Sequence, residues 1–216
     1  MSSQTLIRIG SIALIGAGVL AVGYALIAPD ETAPGVFQHP NFVTGNVLNT
    51  ARWMLMAFGI VALYLRQGHQ SRALNLTAFL ISFVAIVLTV GLDIDKTLIL
   101  PYLASGIPAI TSVANFATHM PAALQPYLAV LMAGLLLHLV GLVVLGAAIV
   151  RSGVLPHWAG WLLIVGTVLS YGSLFGISML HTIGVIVVGV ALAWLGYALW
   201  AQKNETAAAL QPELAK

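Results

Sequence analysis

The chain has 216 residues, 60% of them hydrophobic and only 6% charged, with eight basic and six acidic residues, a net charge of +2 and no cysteine. An average soluble domain is about 25% charged, so a fold covered by water is excluded. The missing cysteine excludes disulfides, thiolate catalysis and thiolate-bound iron–sulfur clusters.

Roughly 130 apolar residues are enough for six helical spans of ~20 residues each. The apolar runs are continuous, whereas the strands of a membrane β-barrel alternate. The expected fold is an all-α, polytopic transmembrane bundle of about six helices. The eight basic residues are scattered, which speaks for topology markers and against a nucleic-acid surface.

In chain order, span 1 covers about residues 6–28 and stops at Pro29-Asp30-Glu31. Its apolar run is longer than the h-region of a signal peptide, so it reads as an uncleaved span. Span 2 covers 43–65 and ends at Arg66, and a polar turn from Gln67 to Arg72 follows. Span 3 covers 73–103, through Pro101. Residues 104–124 form a longer loop, broken by Gly106, Pro108 and Pro121, with room for a short interfacial helix. Spans 4, 5 and 6 cover 125–150, 158–179 and 182–201. Residues 1–202 thus form one transmembrane domain, and 203–216 a short polar tail.

Orientation follows from Lys and Arg. Under this scheme Arg8, Arg66, Arg72, Arg151, Lys203 and Lys216 share one side, and Asp30, Glu31, Asp93, Asp95 and Lys96 share the other. Both termini are expected in the cytoplasm. Trp158, Trp161, Trp194, Tyr197 and Trp200 cluster near the inner ends of spans 5 and 6, as an interfacial aromatic belt does.

Lipid gives apolar helices no reason to associate, so small residues must let them approach. They recur at heptad spacing: Gly16 and Gly23, Gly134 and Gly141, Gly166 and Ser173, then Thr182, Gly189 and Gly196. Arg66-x-Gly68 and Arg151-x-Gly153, with Gly91 and Gly176 at the same offset, are a faint sign of internal duplication.

Polar groups inside the spans carry the functional argument. Span 2 places Asn46, Asn49, Thr50 and Trp53 on one broad arc, with Arg52 at its edge. Arg52 lies about ten residues in, roughly 15 Å along the helix. An unpaired Arg there costs a few kcal/mol on insertion scales. Asp93 is its expected partner, ahead of Asp95; the alternative is that Arg52 snorkels to the headgroups. On span 3, Asn75, Ser82, Thr89 and Lys96 form a heptad-spaced polar seam, with Asp93 beside it and Asp95 on the other side. Asp93 and Lys96 are spaced i,i+3 and can pair. Such a stripe is either an interhelical hydrogen-bond seam or one wall of a polar cavity. His138 is the deep histidine, midway along span 4 between Gly134 and Gly141. It can hydrogen-bond Ser, Thr or backbone on a neighbour, relay a proton, or ligate a metal or haem. Haem would want a second axial ligand at matching depth, and no other histidine lies deep. No HExxH, P-loop or nucleophile-elbow motif is present. No cofactor and no metal are expected.

The segment Arg151-Ser152-Gly153-Val154-Leu155-Pro156-His157-Trp158-Ala159-Gly160-Trp161 resembles the RxGxLPxWAGWLL hairpin of DUF4386-type families of small bacterial membrane proteins. Ala28-Pro29 to Pro34, Tyr64-Leu65-Arg66-Gln67 and Leu98 to Leu103 extend that resemblance over most of the chain. It implies six spans in a bacterial plasma membrane and carries no activity or site residue.

Three functions remain open. In the first, Arg52, Asp93, Asn46, Asn49, Asp95, Lys96 and His138 line an outward-facing polar pocket that binds or transports a small or lipophilic ligand. In the second, the chain is a structural, assembly or signalling partner in a membrane complex, a second copy of itself included. In the third, it is a membrane enzyme or haem protein built on His138. The bilayer is the expected surrounding in all three.

Overall fold

The computed structural model describes residues 3–67, 72–119 and 121–214, without the side chains of residues 72, 114, 117, 118 and 202–214. Among them there are helices and turns and no strand. Seven α-helices follow one another: α1 (Ser3–Ile27), α2 (Phe42–Gln67), α3 (Arg72–Gly106), the short α4 (Val113–His119), α5 (Gln125–Ser152), α6 (His157–Ser170) and α7 (Ser178–Leu214). Six segments are long and apolar enough to cross a membrane, as the composition required. The polar turn expected after Gln67 lies largely outside the described residues.

Local chemistry sets the ends. α1 stops just before Pro29, whose ring disfavours helix in the preceding residue. At the α5–α6 hairpin, Gly153 closes α5 in the left-handed region (φ 64°), which a side chain would strain. Pro156 then stands just before α6, where no backbone donor is needed. Pro101 sits inside α3 without ending it.

The fifth span differs from the expectation of a helix to residue 179. α6 ends at Ser170, and a 3-10 turn over Gly172–Phe175 closes at Gly176 (φ 75°). α7 then starts at Ser178, earlier than expected, and continues as helix through the segment read as a polar tail. Gly91, by contrast, lies within α3, so the spacing it shares with Gly176 reflects no structural repeat. The long outer loop does hold a short helix, α4.

The spans form a closed ring in chain order, α1–α2–α3–α5–α6–α7, with α7 packed back on α1. Successive spans run antiparallel. One face of the ring carries the loops at residues 28–41, 107–124 and 171–177; the other carries Arg8, Arg66 and Arg151 at helix ends. We call these the loop face and the basic face. Near the basic face, Arg8 lies over the Trp200 ring at 5.2 Å, and Trp158, Trp161, Trp194 and Tyr197 are exposed on the outside of the ring.

Backbone-to-backbone contact holds α1 to α7: a Cβ on Gly18 would collide with the Gly189 carbonyl oxygen and the Ala193 backbone. The small-residue seam of span 1 therefore runs through Gly18. Gly23 has open space where its side chain would be, and Gly16 meets only Leu55. Between α3 and α5, Gly141 lies against the Ser82 backbone, and Ser82 Oγ donates to the Gly141 carbonyl at 2.7 Å. At this level the polar stripe of α3 is an interhelical seam.

Candidate functional site

Above that seam the ring is not filled. A cavity of about 410 Å³ lies in its loop half, bounded by all six spans, by Glu31 and Thr32 of the first loop, and by Val113 and Phe116 of α4. Ligand pockets usually measure ~300–1,000 Å³. Two loops fold over the cavity and are tied together: Gly35 N donates to Thr111 O at 2.8 Å and Val113 N to Glu31 O at 3.1 Å. A second cavity of about 330 Å³ lies between the loop ends of α1 and α7 and shares Tyr24, Glu31, Thr32, Ser173 and His181 with the first.

The charged groups gather on the walls made by α2 and α3, joined by Glu31 of the first loop. Lys96 is the hub: its Nζ donates to Glu31 Oε1 at 2.7 Å and stands 3.3 Å from Asp93 Oδ1. Asn49 Nδ2 donates to the other Asp93 oxygen at 2.5 Å. Tyr24 Oη donates to Glu31 Oε1 at 3.2 Å. Glu31 thus reaches from the loop into the network. Its burial alone would raise the carboxyl pKa, but the Lys96 ammonium beside it wins and holds it below the ordinary value. The more exposed Asp30 is also lowered, chiefly because the Thr32 hydroxyl donates to it.

Arg52 stands apart from this network. The residue is 7% exposed, and neither ion pair among the described residues includes it. Its guanidinium carbon lies 4.2 Å from the centre of the Trp53 ring and 5.2 Å from that of Tyr24. The expected contact with Asp93 is therefore replaced by two aromatic faces, because Asn49 and Lys96 already occupy the Asp93 oxygens. Nor does Arg52 reach the headgroups, since its side chain is enclosed within the ring. Its Nε is buried without a hydrogen-bond partner.

His138 packs edge-on to Trp53, with ring centres 4.5 Å apart, and 6.1 Å from Tyr171. The Ser, Thr or backbone hydrogen bond expected for it is not made at Nε2, which is buried without a partner. Tyr171 Oη instead donates to Leu135 O at 2.6 Å.

Five of the seven candidate pocket residues line the main cavity, Asn49, Arg52, Asp93, Lys96 and His138, together with Trp53 and Thr89 of the polar arcs. Asn46 and Asp95 do not. Asn46 turns its amide to its own helix, donating to Phe42 O at 2.8 Å. Asp95 lies off the pocket wall. Tyr24, Glu31, Tyr171 and His181 are lining groups that sequence reasoning missed. Glu31 had one available signal, its proximity to the end of a span, but loop residues obey no periodicity. The opposite wall is largely apolar, with Leu128, Leu131 and Leu135 of α5 among its lining.

The fold and site together define a class: a six-span helical membrane protein with a lipid-facing exterior and a polar-lined cavity in one half. Comparison with known proteins goes no further, because no family model, no curated protein and no solved structure matches the chain.

Proposed function

We propose that the protein binds a small lipophilic ligand in the loop-half cavity, as a membrane-embedded carrier or receptor. The observation that supports this is the cavity itself: about 410 Å³, polar on one wall and largely apolar on the other. A bundle that served only as scaffold would gain by filling that space, because voids forfeit dispersion contacts. Buried ionisable residues are also costly inside a membrane and mark functional sites there by default. In this reading the cavity opens to the outside of a bacterial plasma membrane and both termini are cytoplasmic. Arg8, Arg66 and Arg151 on the opposite face support that orientation. Membership of a DUF4386-type family belongs to the same proposal and rests on the Arg151–Trp161 segment.

Native mass spectrometry of the full chain, extracted gently from its membrane, tests the reading. The expected result is protein carrying a small-molecule adduct. Replacing Leu131, on the cavity wall, by Trp should remove the adduct while the protein remains folded. Bare protein from the wild type, or an adduct indifferent to the cavity-filling change, overturns it.

A further inference from the structure

Among the buried charges of the cavity, one is left over. Lys96 is shared by two carboxylates, and Asp93 is held by Asn49 as well. Arg52 is held by neither acid. A guanidinium carries five N–H donors in one plane. The Trp53 and Tyr24 rings lie against it, and a planar acceptor with two oxygens fits its N–H edge as a fork on a fork. Two further nitrogens beside it lack partners: Trp53 Nε1 and His138 Nε2 are both buried and unbonded. Both rings belong to the same cluster, 4.5 Å centre to centre. Arg52, Trp53 and His138 all line the cavity, and each keeps a buried nitrogen without a partner, so a ligand acceptor reaching this corner would meet unsatisfied polar groups.

The rest of the cavity restricts what carries that acceptor. Glu31 and Asp93 share the space, so a dianion would meet repulsion with only one free cation among the described residues lining the cavity to offset it. Leu128, Leu131 and Leu135, spaced for one face of α5, offer an apolar wall. At about 410 Å³ the cavity suits a single-chain ligand better than a two-chain lipid. We infer that the occupant is a monoanionic amphiphile, a carboxylate on a single aliphatic chain. Its head sits on the edge of Arg52 beside Trp53 and His138, and its tail lies along α5. This rests on the ligand-site reading above and names the ligand's chemistry.

The test uses full-length protein in phosphatidylcholine nanodiscs. The probe is 2-bromodecanoate, whose bromine, next to the carboxylate, quenches Trp53; a Trp53→Phe protein supplies the background. Decanoate, decanol and decyltrimethylammonium then compete for the site. Decanoate should displace the probe at a concentration at least ~10-fold lower than either other competitor. Arg52→Gln should erase that preference, and Arg52→Lys should keep part of it, since Lys retains charge without the fork. If Arg52→Gln fails to fold, the ranking of the three competitors on wild-type protein still decides. Equal competition by all three overturns carboxylate selection and leaves the ligand site standing, and preference for the cation overturns it in favour of Asp93 and Glu31. If phosphatidylglycerol in the disc displaces the probe as well as decanoate does, the occupant is a membrane lipid and the single-chain assignment fails. No saturable quenching in a protein that retains an adduct by mass spectrometry overturns this inference alone; no quenching and no adduct overturn both.

Discussion

From mid-bundle toward the basic face, the helices meet through small residues, with α1 and α7 in backbone contact at Gly18 and Gly189 and again at Ser11 and Gly196, and Ser82 bonded across to α5. Near the loop face, the same six helices enclose a cavity edged by Lys96, Glu31, Asp93 and Arg52. The chain could have closed both ends in the same way, since small residues occur along its whole length. Close backbone contact does continue toward the loop face, where Gly184 of α7 lies against the Ser170 backbone of α6, so what sets that half apart is the charged cavity inside it. Close packing in lipid depends on shape, because no hydrophobic drive separates helix from solvent there. The polar half depends on charge pairing, because each buried ion must find a counter-charge or leave its cost uncompensated. Substitutions in the two halves should therefore fail differently.

The largest effect is expected in the polar half. Lys96→Met removes the cation between Glu31 and Asp93 and leaves the buried Asp93 carboxylate without its counter-charge, with the half-buried Glu31 carboxylate close by. Breaking a buried pair in this way costs about 3–5 kcal/mol. Thermal unfolding in detergent should show it, and adding Asp93→Asn should recover much of the loss. A loss that the second change leaves untouched would mean that Lys96 acts through packing. The next effect belongs to the dry half. Gly18→Leu drives a side chain into the α7 backbone and should cost about 1–3 kcal/mol, the usual range for overpacking. Gly23→Leu, a few residues along the same helix with open space at its Cβ position, should change stability little. Equal losses at the two positions would break the contrast between packed and open faces of α1.

Much of this was legible beforehand, for physical reasons that differ from residue to residue. Six spans could be read because apolar length and rare charge are strong signals in a membrane. The Asp93–Lys96 pair could be read because i,i+3 contacts belong to the helix itself. Arg52 stood out because an intramembrane guanidinium is costly anywhere. Its surroundings did not, because partner choice is tertiary: depth alone pointed to Asp93, and nothing in the spacing revealed that Asn49 and Lys96 would occupy its oxygens first. Glu31 was hidden because it enters the site from a loop, and Tyr24 because a tyrosine within an apolar run reads as filler. Asn46 shares the arc of Asn49, yet its amide found a carbonyl on its own helix, the local competition open to any Asn. The early end of α6 depends on the 3-10 turn at Gly172–Phe175, which an unbroken apolar pattern does not announce.

The smallest predicted effect tests how far the polar half depends on a charge that comes from outside the spans. Glu31 is a loop carboxylate, its side chain 30% exposed, and Lys96 holds its pKa below the ordinary 4.5. A carboxyl whose folded pKa is depressed adds stability that is fully present above its unfolded pKa. That stability is lost as pH falls from about there through the lower folded value. Wild-type protein should therefore lose stability as pH drops below about 4.5, and Glu31→Gln should lose less over the same interval. Its exposure keeps the difference under about 1 kcal/mol, in the range of exposed ion pairs. Asp30, also depressed but bonded mainly to Thr32, remains in both proteins and gives them a shared residual slope. The informative quantity is thus the gap between two melting curves followed from pH 6 to pH 3. A gap that closes as pH falls assigns the lost stability to the Glu31 carboxylate. A gap that stays constant means Glu31 serves as shape, and the loop then joins the cavity through the backbone bonds to residues 111 and 113 alone.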